Sequence, residues 1–252
     1  MDLGLKGRKV ILTGGSRGIG RAALELFAAE GADVAFFSRN PEQVAEAVSS
    51  LQRHGGKVFG EAFELADPDA YRSWLVRAAE ALGGADIFVH NVSSSGSGAG
   101  GDWNATLNLD ILGAVHGVEA LTPFLEKSDH ASVIFLTSTA ALETFLSANA
   151  FNALKAALIT YAKQLSQALG PKGIRVNCVA PGPILFPGGN WEKIKAGRPE
   201  LFEQTAAKMV HGRFGSAEEV AKSIVFLASP ASSHTTGVNL VVDGGYTKRV
   251  QF

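Results

Sequence analysis

The chain has 252 residues, 46% hydrophobic and 19% charged, which is enough apolar material for a large core and excludes a disordered segment. Lys and Arg number 23 against 24 Asp and Glu, and the net charge of −1 removes the broad basic field that non-specific nucleic-acid or anionic-membrane binding requires. A single cysteine, Cys178, excludes an intrachain disulfide and a multi-cysteine zinc site, while 29 glycines, where average usage near 7% would give roughly 18, need placing.

In chain order, strand-length apolar runs alternate with segments of helical period: strand Lys9–Thr13, helix Gly18–Glu30, strand Val34–Ser38, helix Glu42–His54, strand Val58–Phe63, helix Pro68–Leu82 and strand Asp86–His90. A long helical stretch over Trp103–Leu125 follows, then strand Ser132–Thr137, helix Ala148–Leu169, strand Ile174–Val179, helix Ala217–Ala228 and strand Val238–Val242. Near-continuous Val, Ile, Leu and Phe strands between helices predict a three-layer, doubly wound α/β fold. Its seven-stranded parallel sheet carries helices on both faces in a single domain, 1–252. Asp67 before Pro68 reads as a helix cap, and Cys178 as a small buried hydrophobe.

No apolar run reaches the roughly 18 residues of a membrane helix, and Lys6, Arg8 and Lys9 interrupt any signal-peptide core in Met1–Val10. A cytoplasmic protein with small-molecule partners is expected, with no membrane or nucleic-acid partner. The six histidines are scattered without HExxH spacing, so no metal site is expected. Two segments break the rhythm of the elements. Ser93–Gly101 reads SSSGSGAGG after the fourth strand, and residues 183–212 form an insertion after the sixth. Both lie beyond the carboxyl ends of strands, where open α/β sheets bind ligands.

The first strand runs through Thr13-Gly14-Gly15-Ser16-Arg17-Gly18-Ile19-Gly20 into a helix. Glycines allow the tight turn and close backbone approach to a pyrophosphate, and the helix start supplies free N–H groups and a positive dipole end. Gly14, Ser16, Arg17, Gly18, Ile19 and Gly20 are therefore candidate nucleotide-binding residues. Strand two ends Phe37-Ser38-Arg39-Asn40, with no acid until Glu42. Ser38 and Arg39, with Arg17 from the turn, suit a ribose 2′-phosphate, which points to NADP(H) in preference to NAD(H).

The spacing Gly-x-x-x-Gly-x-Gly resembles that of the short-chain dehydrogenase/reductase superfamily, and the resemblance covers essentially the whole chain. Glu64-Leu65 stands where the family has an adenine-contacting Asp-Val pair. His90-Asn91-Val92-Ser93 is similar to its Asn-Asn-Ala-Gly, and Pro181-Gly182 to its Pro-Gly. Arg213-Phe214-Gly215, Glu219-Val220-Ala221 and Val242-Asp243-Gly244-Gly245 are similar to its carboxyl-terminal signature. The resemblance implies strand order 3-2-1-4-5-6-7. It also implies cofactor contacts from Glu64, Leu65, Asn91, Val92, Ser93, Lys155, Pro181, Gly182 and Ile184, and interconversion of a secondary alcohol and a ketone or 3-oxoacyl carbonyl.

In the family a tyrosine in Tyr-x-x-x-Lys donates the proton and a serine thirteen residues earlier polarises the carbonyl. Here Ser138 and Lys155 hold their places, but position 151 is phenylalanine. A phenyl ring cannot donate or accept a proton, so turnover is expected to be severely slowed while cofactor binding survives. Three explanations fit: a deliberate Tyr→Phe change, which the otherwise complete site favours, another proton donor, or a chain that only binds, as a non-catalytic subunit. Asp110 occupies the place of the family's relay asparagine, and its carboxylate can still accept from water and attract Lys155. Ser93, Ser94 and Ser138, with Phe186 and Trp191 from the insertion, are candidate substrate contacts. The resemblance further implies a homotetramer or homodimer through the apolar faces of Asp102–Leu125 and Ala148–Leu169 and the carboxyl-terminal segment.

Overall fold

The computed structural model of the protein describes residues 2–144 and 148–250, so Met1 of the amino-terminal segment lies outside the described residues. Strands β1 (Lys9–Thr13), β2 (Asp33–Ser38), β3 (Val58–Ala62), β4 (Ile87–His90), β5 (Ser132–Leu136), β6 (Arg175–Pro181) and β7 (Asn239–Val242) form one sheet in the order β3-β2-β1-β4-β5-β6-β7. Every pairing is parallel. The order is the expected one. β6 runs two residues past Val179, because Ala180 and Pro181 pair with Val241 and Val242.

Both faces of the sheet are covered, which explains the unbroken apolar strands. Along β1, Val10 and Leu12 pack toward α1 (Gly18–Ala29), α2 (Pro41–Gln52) and α10 (Ala217–Ala228), whereas Ile11 packs toward α3 (Pro68–Leu82) on the other side. α6 (Gly113–Leu125) and α7 (Ala150–Leu169) complete that second layer. Helix starts follow local chemistry. Asn40 and Asp67 cap α2 and α3 with their side chains, each ahead of a proline, and Ser216 with Glu219 forms a reciprocal capping box on α10. Asn149 caps α7, so the helix begins at Ala150 and not at Ala148.

Three expectations change. Ser93–Gly101 is not all loop: Ser94–Ser97 forms a short helix, α4, whose cap is the Ser93 hydroxyl accepting from Ser95 N–H. The stretch Trp103–Leu125 is not one uniform helix. α5 (Trp103–Thr106) and α6 flank a π-helical turn at Leu107–Leu112, which carries Asp110. The insertion 183–212 folds into α8 (Asn190–Gly197) and α9 (Pro199–Lys208). Among the described residues no helix is long and apolar enough to cross a membrane.

Candidate functional site

The turn after β1 is anchored from both neighbouring strands. Gly14 and Gly15 N–H groups donate to Phe37 O, each at 3.1 Å. Asn91 Nδ2 donates to Thr13 O at 3.0 Å and to Gly14 O at 2.9 Å, while Thr13 Oγ1 accepts from the N–H groups of Asn91 and Val92. Gly18 adopts φ +57°, and a Cβ at Gly20 would overlap the carbonyl oxygen of Gly14. The turn is thus packed to a closeness that only glycine permits. Arg17, at the cap position of α1, provides no side-chain cap, leaving the helix start to other partners.

A cleft of about 1090 Å³ opens above this turn. Of the expected cofactor residues, Gly14, Ser16, Arg17, Ile19, Gly20, Ser38, Arg39, Glu64, Leu65, Asn91, Val92, Ser93, Lys155, Pro181, Gly182 and Ile184 line it. Gly18 does not, because the Phe186 ring lies against it: a Cβ there would come within 2.7 Å of that ring. At the β2 end, Ser16 Oγ and Ser38 Oγ share a hydrogen bond at 2.7 Å. Arg39 lies 4.0 Å from Glu64 with both side chains more than half exposed, a contact that contributes little. The insertion bridges the cleft: Arg17 Nη1 donates to Gly188 O at 2.9 Å, and Asn190 Nδ2 donates to Ser95 O and Oγ, both at 2.9 Å.

At the other end, Ser138 follows β5 and faces the cleft, its Oγ accepting from Ala140 N–H at 3.1 Å. One turn apart on α7, Phe151 and Lys155 approach each other, with Lys155 Nζ 5.7 Å from the ring centroid. The ammonium group is buried. It donates to Leu136 O at 2.6 Å and lies 2.9 Å from Asp110 Oδ1, while Asp110 Oδ2 accepts from Ser94 N–H at 2.8 Å. Burial pushes the Asp110 carboxyl up, but the Lys155 charge and the bonds from Lys155 and Ser94 outweigh it and hold the carboxyl below its ordinary value.

The structure corrects the role expected for Ser94. It is fully buried and does not line the cleft. α4 turns it inward, where its N–H meets Asp110 and its hydroxyl accepts from Thr106 Oγ1 at 3.1 Å. Ser93 and Ser95 remain in the cleft wall. Trp191 lines the cleft but also packs on Phe214, ring centroids 4.9 Å apart.

Two features escape the sequence. His90 is buried with Nε2 3.0 Å from Leu109 O, in the π-helical turn, and Nδ1 3.4 Å from Thr13 Oγ1. Burial, then the Lys155 charge, push its pKa down to about 4, so the ring is neutral at pH 7. The Asn-type pattern at this position gave no sign of such a link. The carboxyl-terminal residues Tyr246, Thr247 and Lys248 also line the cleft, a closure that no local motif signals.

A family model described as Enoyl-(Acyl carrier protein) reductase matches residues 14–247. The chain is 39% identical over 257 residues to isoepoxydon dehydrogenase of Penicillium expansum, covering 100% of this chain and 99% of the relative. It is 31% identical over 247 residues to the 3-oxoacyl-[acyl-carrier-protein] reductase of Thermotoga maritima, covering 96% and 98%. The solved L-sorbose reductase of Gluconobacter frateurii, complexed with NADPH and L-sorbose, superposes with a TM-score of 0.88 at 31% identity over 99% of this chain and 100% of that one. Fold, motifs and full-length likeness agree that the chain belongs to the short-chain dehydrogenase/reductase superfamily of oxidoreductases.

Proposed function

We propose that the chain binds NADP(H) and is built to interconvert a secondary alcohol and a ketone or 3-oxoacyl-type carbonyl, with turnover held down by Phe151. The residues present fit a dinucleotide, since the cleft floor is a glycine turn so tight that a Cβ at Gly20 would strike Gly14 O and Asn91, and the start of α1 has no side-chain cap. When bound, the nicotinamide supplies or accepts the hydride. Gly14, Ser16, Ile19 and Gly20 would meet the pyrophosphate, Glu64 and Leu65 the adenine, and Ser38, Arg39 and Arg17 the 2′-phosphate. Asn91, Val92, Ser93, Pro181, Gly182 and Ile184 frame the nicotinamide end, where Lys155 also stands. Ser138 Oγ donates to the substrate oxygen. Beside it Phe151 presents carbon where proton transfer needs oxygen, a loss worth about 10²–10⁴-fold.

The observation that carries this reading is that Ser138, Phe151 and Lys155 line the same cleft as the glycine turn, with Lys155 Nζ 5.7 Å from the Phe151 ring centroid. The NADPH in the L-sorbose reductase complex supports the cofactor assignment. A second reading, a chain that binds NADP(H) without catalysis, is favoured by the closed Asp110–Lys155 pair, which occupies the lysine without any phenol. The same proposal carries a small-molecule carbonyl or alcohol substrate, a cytoplasmic setting and a homotetramer or homodimer. The exposed Trp103 and Leu107 ahead of α6, Phe226 on α10 and Leu240 on the edge strand β7 support the assembly. Calorimetric titration tests the cofactor: NADPH binds at least tenfold tighter than NADH, and Arg39→Ala removes most of that difference. Equal affinities, or an unchanged ratio in Arg39→Ala, would contradict it.

A further inference from the structure

The sheet order places the β2 and β3 ends of the cleft on one side of β1 and the β5–β7 ends on the other, so the cleft has distinct ribose-phosphate and substrate ends. On the substrate side it is lined by Lys193, Arg198, Lys208 and Lys248. None of the four lies within 4.0 Å of a carboxylate among the described residues. In a chain of net charge −1 this concentration is local.

The helices of the insertion direct it. Ile194 on α8, Leu201, Thr205 and Lys208 on α9, and Arg198 at the junction between the two helices all line the cleft, while Glu192, Glu200 and Glu203 of the same helices do not. Lys248 arrives from the carboxyl-terminal segment, fastened by the N–H groups of Lys248 and Arg249 donating to Glu143 Oε1 at 2.8 and 2.9 Å. Its Nζ donates to Gly245 O at 2.8 Å and to Lys208 O at 3.3 Å, which brings two lysines to one rim. Glu143, the acid lining this end, already accepts those two backbone donors. Unneutralised cations along a low-dielectric wall focus a positive potential on the space between them.

We propose that the substrate is anionic: a carbonyl or alcohol compound bearing a carboxylate or phosphate, whose charged end is held by Arg198, Lys208 and Lys248, with Lys193 on the α8 side. This rests on the reading of the cleft as a dinucleotide and carbonyl site. Charge-assisted hydrogen bonds of this kind correspond to roughly ten- to a hundredfold in affinity.

The test uses matched ketones with the Phe151→Tyr chain and NADPH: levulinate against its methyl ester, and dihydroxyacetone phosphate against dihydroxyacetone. The anionic member of one pair is expected to have a kcat/KM at least tenfold higher, mainly through KM. The advantage shrinks with added salt and collapses toward one in the Arg198→Gln, Lys208→Gln, Lys248→Gln triple variant. Whichever pair shows it separates carboxylate from phosphate. Equal or better use of the uncharged members overturns the inference and leaves the proposed oxidoreductase function standing. If nothing turns over but NADPH binds, calorimetry of the same pairs on the NADPH-loaded chain decides. Anion-selective binding lost in the triple variant upholds the inference, and its absence overturns it. Failure of NADPH to bind overturns both readings.

Discussion

Asp110 and Lys155 place opposite charges 2.9 Å apart in the buried wall of the cleft, and the cost of separating them exceeds what the pair itself contributes. Asp110→Ala leaves an ammonium group buried without its counter-ion, and a loss of about 3–5 kcal/mol in urea unfolding is expected. Asp110→Asn loses less, since an amide oxygen can still accept from Ser94 N–H. The two buried titrating groups act in different pH windows. Asp110 is held below its ordinary 3.8, so its contribution is present above pH 4 and is lost as pH falls further. His90 is pushed from 6.5 down to about 4, so between these values the unfolded chain takes up a proton that the folded chain refuses. The urea midpoint is therefore expected to fall from pH 7 to pH 4.5, and His90→Asn should flatten that slope. A flat profile in the parent chain would contradict the assignment. At this scale Ser138, Phe151, Lys155 and Asp110 were singled out by the family resemblance, and the structure brings the first three to the cleft lining and Asp110 against Lys155. Ser94 was misplaced because one extra helical turn, α4, reverses the direction of its side chain.

Elements were legible where local chemistry is strong. Asp67-Pro68 announces α3, and the apolar strands announce the sheet. The π-helical turn was not, because Leu107–Leu112 carries ordinary helix-forming residues, and the turn is held by a tertiary bond from His90 to Leu109 O. α8 and α9 were hidden by a segment rich in charge and glycine, whose apolar residues find their partners only through tertiary contacts such as Phe202 stacked on Phe214 at 4.3 Å. The glycine turn is the most constrained local structure. Gly20→Ala drives its Cβ into Gly14 O and is expected to weaken NADPH binding by more than a hundredfold in calorimetry. Gly197→Ala, where nothing lies within 4 Å of the added carbon, leaves binding intact. Equal binding by the two variants would refute the role given to the turn.

At the scale of the whole molecule, the alternation of strands and helices makes the doubly wound sheet readable, and the sheet in turn places every site segment at its carboxyl edge. The closure of the cleft was not readable, since it depends on contacts between residues far apart in the chain. Arg17 reaches Gly188, Asn190 reaches Ser95, and Glu143 fastens the segment carrying Lys248. Cofactor binding is thus spread over the fold, whereas proton transfer is concentrated at one position, so the two properties separate in a single variant. The decisive measurement follows NADPH consumption across a panel of carbonyl compounds with the chain as it stands and with Phe151→Tyr, alongside NADPH affinity for both. The role given to Phe151 requires near-equal affinities and a gain of about 10²-fold or more in turnover for Phe151→Tyr. Equal turnover by the two chains, or no turnover by Phe151→Tyr on any carbonyl, would contradict it.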